Sequence, residues 1–158
     1  MRLLLVRHAE AVVLGEAGST CDFDRPLTEL GRKQSAALAA ALAKVGLAPD
    51  RVVSSPLLRA TQTAEPLLTL LPQNSGPAIL CDYLAVEEFR PKKLVQAIEE
   101  AGGKRVALVG HMPSIARYAS WMLGCPEGTV DFKKGAIASI KFRPGVAEAA
   151  GELEYLIT

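Results

Sequence analysis

The chain has 158 residues, of which 49% are apolar and 22% are charged. This composition is typical of a globular domain and excludes an intrinsically disordered chain. At this length one domain is the simplest organisation, and it buries enough surface to fold without disulfides or metals. The formal net charge of +1 gives no general attraction to nucleic acid or membranes, so any anion must be bound by local charge.

The three cysteines, Cys21, Cys81 and Cys125, form no CxxC pair and no spacing typical of zinc sites. An odd number of unclustered thiols favours a reducing compartment. The apolar run of residues 3–6 is shorter than that of a signal peptide. No segment reaches the roughly 20 apolar residues of a membrane span. We therefore expect a cytoplasmic protein with no metal site and no membrane partner.

The first elements in chain order are a buried strand and a long helix. Residues 3–6 predict a strand buried on both faces, and residues 8–27 predict a long loop. Thr28 is the expected N-cap of a helix that ends at Gly46. Its expected buried stripe consists of Leu30, Ala37, Leu38, Ala41, Leu42 and Val45.

Residues 51–54 predict a second strand. Ser55 is expected to cap the next helix, with Pro56 at its first position and Pro66 kinking or shortening it. Residues 78–81 predict a third strand. The later elements are a helix at 91–101, a strand at 105–109, a helix at 113–123 or 114–123, and two hairpin strands at 135–142 and 153–157.

This alternation predicts the α/β class, as a single three-layer α/β/α domain with a mostly parallel central sheet. In such sheets ligands bind beyond the carboxyl ends of the strands. His8, Ser54, Ser55 and His111 all lie at such ends in this prediction. Residues that are distant in the sequence should therefore meet at one edge of the sheet.

The two histidines, His8 and His111, each directly follow an apolar run. A neutral imidazole is a good nucleophile toward phosphorus, and the guanidinium of Arg7 offers planar donors that match phosphate oxygens. Arg59 is expected in the first turn of a helix, whose N-terminus favours anions. His111 is expected to hydrogen-bond phosphate, or to stabilise its charge when protonated, and the Met112 amide to donate to it. Each residue alone is also typical of a solvated or structural side chain, so only their combination indicates a phosphate site.

The combined motifs resemble the histidine phosphatase superfamily and its phosphoglycerate-mutase-like fold. They are Arg-His at 7–8, S-S-P-x-x-R-A-x-Q-T at 54–63, Gly-His at 110–111 and D-x-P-L-T-x-x-G at 24–31. The short chain, the lack of a cap insertion and the late strand at 135–140 are similar to SixA-type phosphohistidine phosphatases. The resemblance runs over nearly the whole chain.

The resemblance implies one histidine phosphatase domain over residues 1–158, without a cap insertion. It implies that His8 is the nucleophile and becomes phosphorylated. Arg7, Arg59 and His111 would form the phosphate pocket around it. Water would then hydrolyse the phosphohistidine and release inorganic phosphate, with no metal or other cofactor.

Two positions depart from the family pattern. Ala9 stands where the family usually has glycine after Arg-His, which would be costly if the backbone there needed an angle open only to glycine. The proton donor has no clear motif. Glu87 and Glu88 lie in the mid-chain region where many members place a glutamate, whereas Asp22 lies where SixA-type proteins carry an aspartate, and Asp22 is the preferred acid.

The lack of a clear motif for the proton donor favours a phosphohistidine substrate, because an imidazole leaving group needs less protonation than an alkoxide. The expected partner is therefore a phosphorylated signalling protein such as a histidine phosphotransfer domain. The alternatives are a phosphomonoesterase acting on a sugar phosphate or nucleotide, a less favoured mutase, and a phosphate-binding module without turnover. Lys133 and Lys134 predict a solvated turn, with contact to an acidic partner as the alternative.

Overall fold

The computed structural model describes residues 1–85, 89–143 and 145–158. The strands are β1 (Arg2–Arg7), β2 (Arg51–Ser54), β3 (Ile79–Leu80), β4 (Arg105–Gly110), β5 (Ile137–Phe142) and β6 (Gly151–Ile157). The helices are α1 (Glu29–Lys44), α2 (Leu58–Leu68), α3 (Pro91–Ala101) and α4 (Ser114–Leu123), with a 3₁₀ turn at Asp82–Leu84. None of the helices in these ranges is long and apolar enough to cross a membrane.

The six strands form one sheet in the order β3-β2-β4-β1-β5-β6. The first four strands in this order run parallel to one another. Strand β5 is antiparallel to β1, and β6 is antiparallel to β5. The predicted α/β class and the terminal hairpin are confirmed, and the hairpin makes the sheet mixed at one side.

Strand β1 is buried on both faces because helices cover both sides of the sheet. Leu3 and Leu5 belong to an apolar cluster that includes side chains of α3 and α4. Leu4 and Val6 point to the other face and pack with side chains of α1 and α2. A strand in this position reads as a continuous apolar run rather than an alternating one, as residues 3–6 do.

Helix α1 begins where its N-cap was predicted, but its buried stripe is rotated. The Thr28 hydroxyl accepts a hydrogen bond from the Gly31 amide at 3.0 Å. Leu30 and Val45, both predicted to be buried, are 57% and 60% exposed. The buried residues of the helix are Gly31, Ser35, Leu38, Ala39 and Leu42. Leu38 and Leu42 are buried as predicted, but Leu30, Ala37, Ala41 and Val45 are exposed. The stripe is rotated because the helix docks through Gly31, whose missing side chain lets the backbone of Glu10 approach.

The prediction for the start of α2 was also wrong. Leu57 occupies the N-cap position, and its side chain makes no capping hydrogen bond. The Ser55 hydroxyl instead accepts from the Leu57 amide at 3.2 Å and lies 2.8 Å from an imidazole nitrogen of His111. Pro66 does not end the helix, which continues to Leu68. Ser55, which was expected to cap the helix, therefore contacts His111 at the carboxyl edge of the sheet instead.

Replacing Gly31 with alanine is expected to destabilise the fold by at least about 1–3 kcal/mol, the usual cost of overpacking. An added Cβ would lie 2.0 Å from the carbonyl oxygen of Glu10, which also accepts a hydrogen bond from the Thr28 amide at 3.0 Å. Urea unfolding would measure the loss. The matched control is Gly145→Ala, where no atom lies within 4 Å of the added Cβ. Equal stability of the two variants would contradict the close approach.

Candidate active site

Parallel pairing of β1 with β4 brings the two histidines together. Arg7 is in register with Gly110, and His8 and His111 directly follow these residues. The His8 amide donates to the Gly110 carbonyl at 3.0 Å, so the two strand ends are also joined beyond the ladder. The imidazole centroids lie 4.9 Å apart, with the rings tilted by 48°. Both rings therefore line the same spot at the carboxyl edge of the sheet.

His8 is oriented so that one ring nitrogen is held and the other is free. Its Nδ1 lies 2.7 Å from the carbonyl oxygen of Ala9. A carbonyl only accepts, so Nδ1 carries the proton and Nε2 keeps its lone pair. The pKa of His8 is lowered to about 4, mainly by burial, with the charges of Arg59 and Arg7 contributing. His8 is therefore neutral near pH 7, with Nε2 in the unprotonated form that a nucleophile requires.

Ala9 fits its position without strain. Its φ is not positive, so the backbone does not require glycine there. Its methyl group packs in a small apolar cluster with Ala11 and Leu27. The Ala9 amide donates to the Thr63 hydroxyl at 3.0 Å, and that hydroxyl donates to the Arg59 carbonyl at 2.6 Å. Helix α2 thus anchors the backbone of Ala9, the residue whose carbonyl orients His8.

His111 is buried and neutral. Its Nε2 lies 2.8 Å from the Ser55 hydroxyl, whereas its Nδ1 is buried and has no hydrogen-bond partner within the described part of the chain. The pKa of His111 is lowered to about 3, mainly by burial, with the nearby His8 and Arg59 contributing. In the unliganded site His111 is therefore a neutral hydrogen-bonding group rather than a cation.

Two arginines approach the histidines from different elements. Arg7, at the end of β1, donates through Nη1 to the Phe132 carbonyl at 2.6 Å, and its buried Nε has no hydrogen-bond partner among the residues that the structure describes. Arg59, in the first turn of α2, is only 6% exposed. Buried donors without partners are rare in folded proteins and are costly. The unpartnered Nε of Arg7 and Nδ1 of His111 therefore indicate a place where a ligand supplies acceptors.

Asp22 reaches the same pocket from the loop at 8–27 and occupies Arg59. Arg59 donates to the Asp22 carbonyl at 2.6 Å and to its carboxylate at 2.8 Å. Arg25 binds the other carboxylate oxygen at 2.6 Å. Burial opposes the charge of Asp22, but the hydrogen bonds from Arg25 and Arg59 outweigh it and hold the pKa below its usual range. In this arrangement Asp22 is an ionised carboxylate that fills the anion-binding face of Arg59.

The other predicted site residues are placed less fully. Met112 is half-buried, and its side chain packs against the apolar core, so donation by its amide to phosphate stays a prediction. Glu87 and Glu88 lie outside the described residues. Among the residues that are described, no three His, Cys, Asp or Glu side chains group as a metal site.

Sequence reasoning missed a lysine beside the site. Lys134 lies in an exposed turn, as predicted, but it also forms an ion pair with Glu10 at 2.8 Å, and its charge is the smallest of the contributions that lower the pKa of His8. It lies just before β5, the strand that pairs with β1. The proximity of Lys134 to His8 is visible only once β5 is known to pair with β1. Thr63 and Ser55 were part of the recognised motif, but their contacts were not predicted.

The neutral histidines predict a loss of stability in acid. The unfolded chain protonates each histidine near pH 6.5, whereas the folded protein resists protonation until about pH 4 for His8 and about pH 3 for His111. Their contribution is therefore complete above pH 6.5 and is lost as the pH falls through these folded-state values. Between pH 7 and pH 5 each histidine should remove about 2 kcal/mol from the free energy of unfolding.

Urea unfolding at several pH values would measure this loss, and His8→Gln should remove about half of the pH dependence in that window. A free energy of unfolding that is equal at pH 7 and pH 5 would contradict the burial of the neutral imidazoles.

Comparisons of the sequence and of the fold with known proteins find phosphatases that are similar to this chain. Residues 3–78 match the family model of the histidine phosphatase superfamily (branch 1). The serine/threonine-protein phosphatase Pgam5, mitochondrial, of Drosophila ananassae is 34% identical over 82 residues. That segment covers 52% of this chain and 27% of the relative, so the match spans about a quarter of that protein's length.

Two solved structures share the fold over nearly the whole chain. The protein histidine phosphatase SixA complexed with tungstate has a TM-score of 0.77 and 26% identity, and the match covers 100% of this chain and 97% of that one. A mycobacterial glucosyl-3-phosphoglycerate phosphatase complexed with VO3 has a TM-score of 0.69 and 20% identity, with 98% and 97% covered. The second likeness is one of fold alone.

Proposed function

Because residues 3–78 match the family model of the histidine phosphatase superfamily and the fold resembles that of the protein histidine phosphatase SixA, we propose that this chain is a member of the superfamily and a phosphatase whose nucleophile is His8. We propose further that it removes the phosphoryl group from phosphohistidine on a signalling protein. The observation that carries the proposal is the neutral His8, whose Nε2 is free while its Nδ1 is held by Ala9. His8 lies beside Nε of Arg7 and Nδ1 of His111, which are buried and have no hydrogen-bond partner among the described residues.

The proposed chemistry has two steps. The lone pair on Nε2 of His8 attacks phosphorus as the bond from phosphorus to the leaving group breaks, and the leaving group takes up a proton. Water then attacks the phosphorus of phosphorylated His8. The N–P bond breaks, Nε2 recovers its lone pair, and inorganic phosphate leaves with the oxygen of that water. Arg7, Arg59 and His111 donate hydrogen bonds to the phosphoryl oxygens in both steps.

Asp22 is the proposed proton donor, and substrate binding prepares it for that role. A phosphoryl group that binds Arg59 must take the donors that Asp22 now occupies at 2.6 and 2.8 Å. A displaced Asp22 loses a stabilising cation and faces a negatively charged phosphate, and both changes raise its pKa. The carboxyl can then protonate the leaving group, which the ionised form cannot do.

Two observations support a phosphohistidine substrate. The full-length likeness to the protein histidine phosphatase SixA is the first. The second is that Asp22 is ionised in the resting site and becomes an acid only after substrate has displaced it from Arg59, so a substrate that leaves as imidazole and depends little on that proton suits the site best. A protein such as a histidine phosphotransfer domain is the partner proposed to present that group.

A second candidate function is hydrolysis of a small phosphate ester such as a sugar phosphate or nucleotide. Asp22 at the pocket favours it, because an alkoxide leaving group requires a proton donor. The fold likeness to a glucosyl-3-phosphoglycerate phosphatase is compatible with it. The two candidates therefore differ in how strongly turnover depends on Asp22.

A paired assay of inorganic phosphate release tests the proposal. The protein is given a phosphorylated histidine phosphotransfer domain and a panel of phosphomonoesters, and Asp22→Asn is assayed beside the wild type. We expect phosphohistidine to be the better substrate by at least about tenfold in kcat/KM, with a small effect of the variant on it. Faster turnover of a monoester that falls by about 10²-fold in Asp22→Asn would support the second candidate instead.

A further inference from the structure

We infer that Ser55 is a positioning residue for His111: its hydroxyl holds His111 in the tautomer with the proton on Nδ1 and aims that N–H at the phosphoryl group. The inference rests on the proposed function, because it assigns a role in binding the phosphoryl oxygens. It concerns a residue that does not itself touch the substrate.

Ser55 and His111 are held on neighbouring strands. Ser55 follows the last residue of β2, is fully buried, and donates its amide to the Val109 carbonyl of β4 at 2.9 Å. His111 follows the last residue of β4. The backbone thus sets the 2.8 Å distance between the Ser55 hydroxyl and Nε2 of His111.

Counting protons assigns the tautomer. The Ser55 oxygen already accepts from the Leu57 amide, and its own proton has no acceptor but His111 among the described residues. If the hydroxyl donates to Nε2, then neutral His111 carries its proton on Nδ1. In the opposite arrangement the hydroxyl proton is left without an acceptor, and a lone pair on Nδ1 faces the pocket. Only the first arrangement satisfies the buried hydroxyl.

The first arrangement also suits an anion. The Nδ1–H of His111 and the Nε–H of Arg7 are then two buried donors without acceptors in residues 1–85, 89–143 and 145–158, as expected around a bound phosphate. Because burial keeps His111 neutral in the unliganded site, the position of its single proton decides whether an N–H donor or a lone pair meets the incoming phosphoryl group. A lone pair aimed at a phosphoryl oxygen would repel it, so a hydroxyl that selects the tautomer has a direct effect on the site.

The first test is the tautomer itself, read from imidazole ¹⁵N shifts at pH 7.5. The chain has two histidines, so the spectrum holds two ring systems, and that of His8 is identified by its loss in His8→Gln. We expect a protonated Nδ1 on His111 in the wild type and a shift of the proton toward Nε2 in Ser55→Ala. The His8 signals should stay unchanged, because the Ala9 carbonyl holds that ring.

The second test is kinetic. Losing one donor to a developing oxyanion costs about 10²-fold or more, so Ser55→Ala should lower kcat by about that factor. Ser55→Thr, which keeps the hydroxyl, should retain the tautomer and most of the activity. Ser54→Ala is the matched control, since Ser54 is equally buried and its hydroxyl bonds to the Ser55 carbonyl at 2.9 Å. It should leave both the tautomer and kcat near the wild type.

The inference on Ser55 and the proposed function fail in different ways. A His111 protonated on Nε2 in the wild type overturns the role of Ser55 and leaves the phosphatase proposal standing. The same holds if Ser55→Ala changes neither the tautomer nor kcat, or if Ser54→Ala changes both as much as Ser55→Ala does. A wild type that turns over no phosphate substrate overturns the proposed function and, with it, the role of Ser55 in phosphoryl binding.

Discussion

Replacing His8 with alanine is expected to lower phosphate release from every substrate by at least about 10³-fold, because the covalent route disappears with its nucleophile. Nε2 of His8 is the unprotonated nitrogen beside Arg59 and His111, and a methyl group has no lone pair to replace it. Steady-state release of inorganic phosphate by the two proteins measures the effect. Rates near the wild type in His8→Ala would rule out the two-step mechanism.

The same variant separates an enzyme from a phosphate-binding module. His8→Ala keeps Arg7 and Arg59, so it should still bind tungstate, but it should not acquire a phosphoryl group. The wild type should become labelled at His8 after rapid acid-free quenching with a small phosphate donor. A wild type that binds tungstate and is never labelled would instead be a binding module without turnover.

Replacing Arg59 with alanine is expected to weaken tungstate, vanadate and phosphate binding by at least about tenfold, the value of one or two hydrogen bonds to a charged group. Arg59 is 6% exposed, and its guanidinium already binds an anion, the Asp22 carboxylate, at 2.8 Å. A planar guanidinium can bind two oxygens of one phosphate side by side, as it can those of a carboxylate. Calorimetric titration with each anion measures the change.

The control for Arg59→Ala is Arg51→Ala. Arg51 lies at the N-terminal end of β2, away from the carboxyl edge of the sheet. Its guanidinium bonds to the Ala101 and Asp50 carbonyls at 3.1 and 2.8 Å. Its removal should alter stability and leave anion affinity unchanged. Equal anion affinities in Arg59→Ala and the wild type would show that the first turn of α2 does not bind the phosphate.

Much of the fold was predictable because its signals are local. The N-cap of α1 at Thr28, the left-handed Gly124 after α4 and the apolar run of β1 depend on residues close together in the chain. The errors arose where a distant residue intervened. Gly31 turns α1 toward Glu10, and His111 engages the serine that was expected to cap α2.

The meeting of the site residues was predictable from one rule, that parallel strands present their carboxyl ends at one edge. His8 and His111 follow β1 and β4, which are hydrogen-bonded neighbours. The rule cannot say what else reaches that edge. The Phe132 carbonyl on Arg7 and the ion pair of Lys134 with Glu10 join residues more than a hundred positions apart.

The sequence by itself determined which elements form and which side chains stand at their ends, because hydrophobic periodicity, capping and turn residues act over a few positions. It also carried the motifs that resemble those of the histidine phosphatase superfamily. Only the tertiary structure decided that both histidines are neutral, which nitrogen of His8 is free, and that Asp22 occupies Arg59. These properties depend on burial and on contacts between residues far apart in the chain, and no local pattern encodes them.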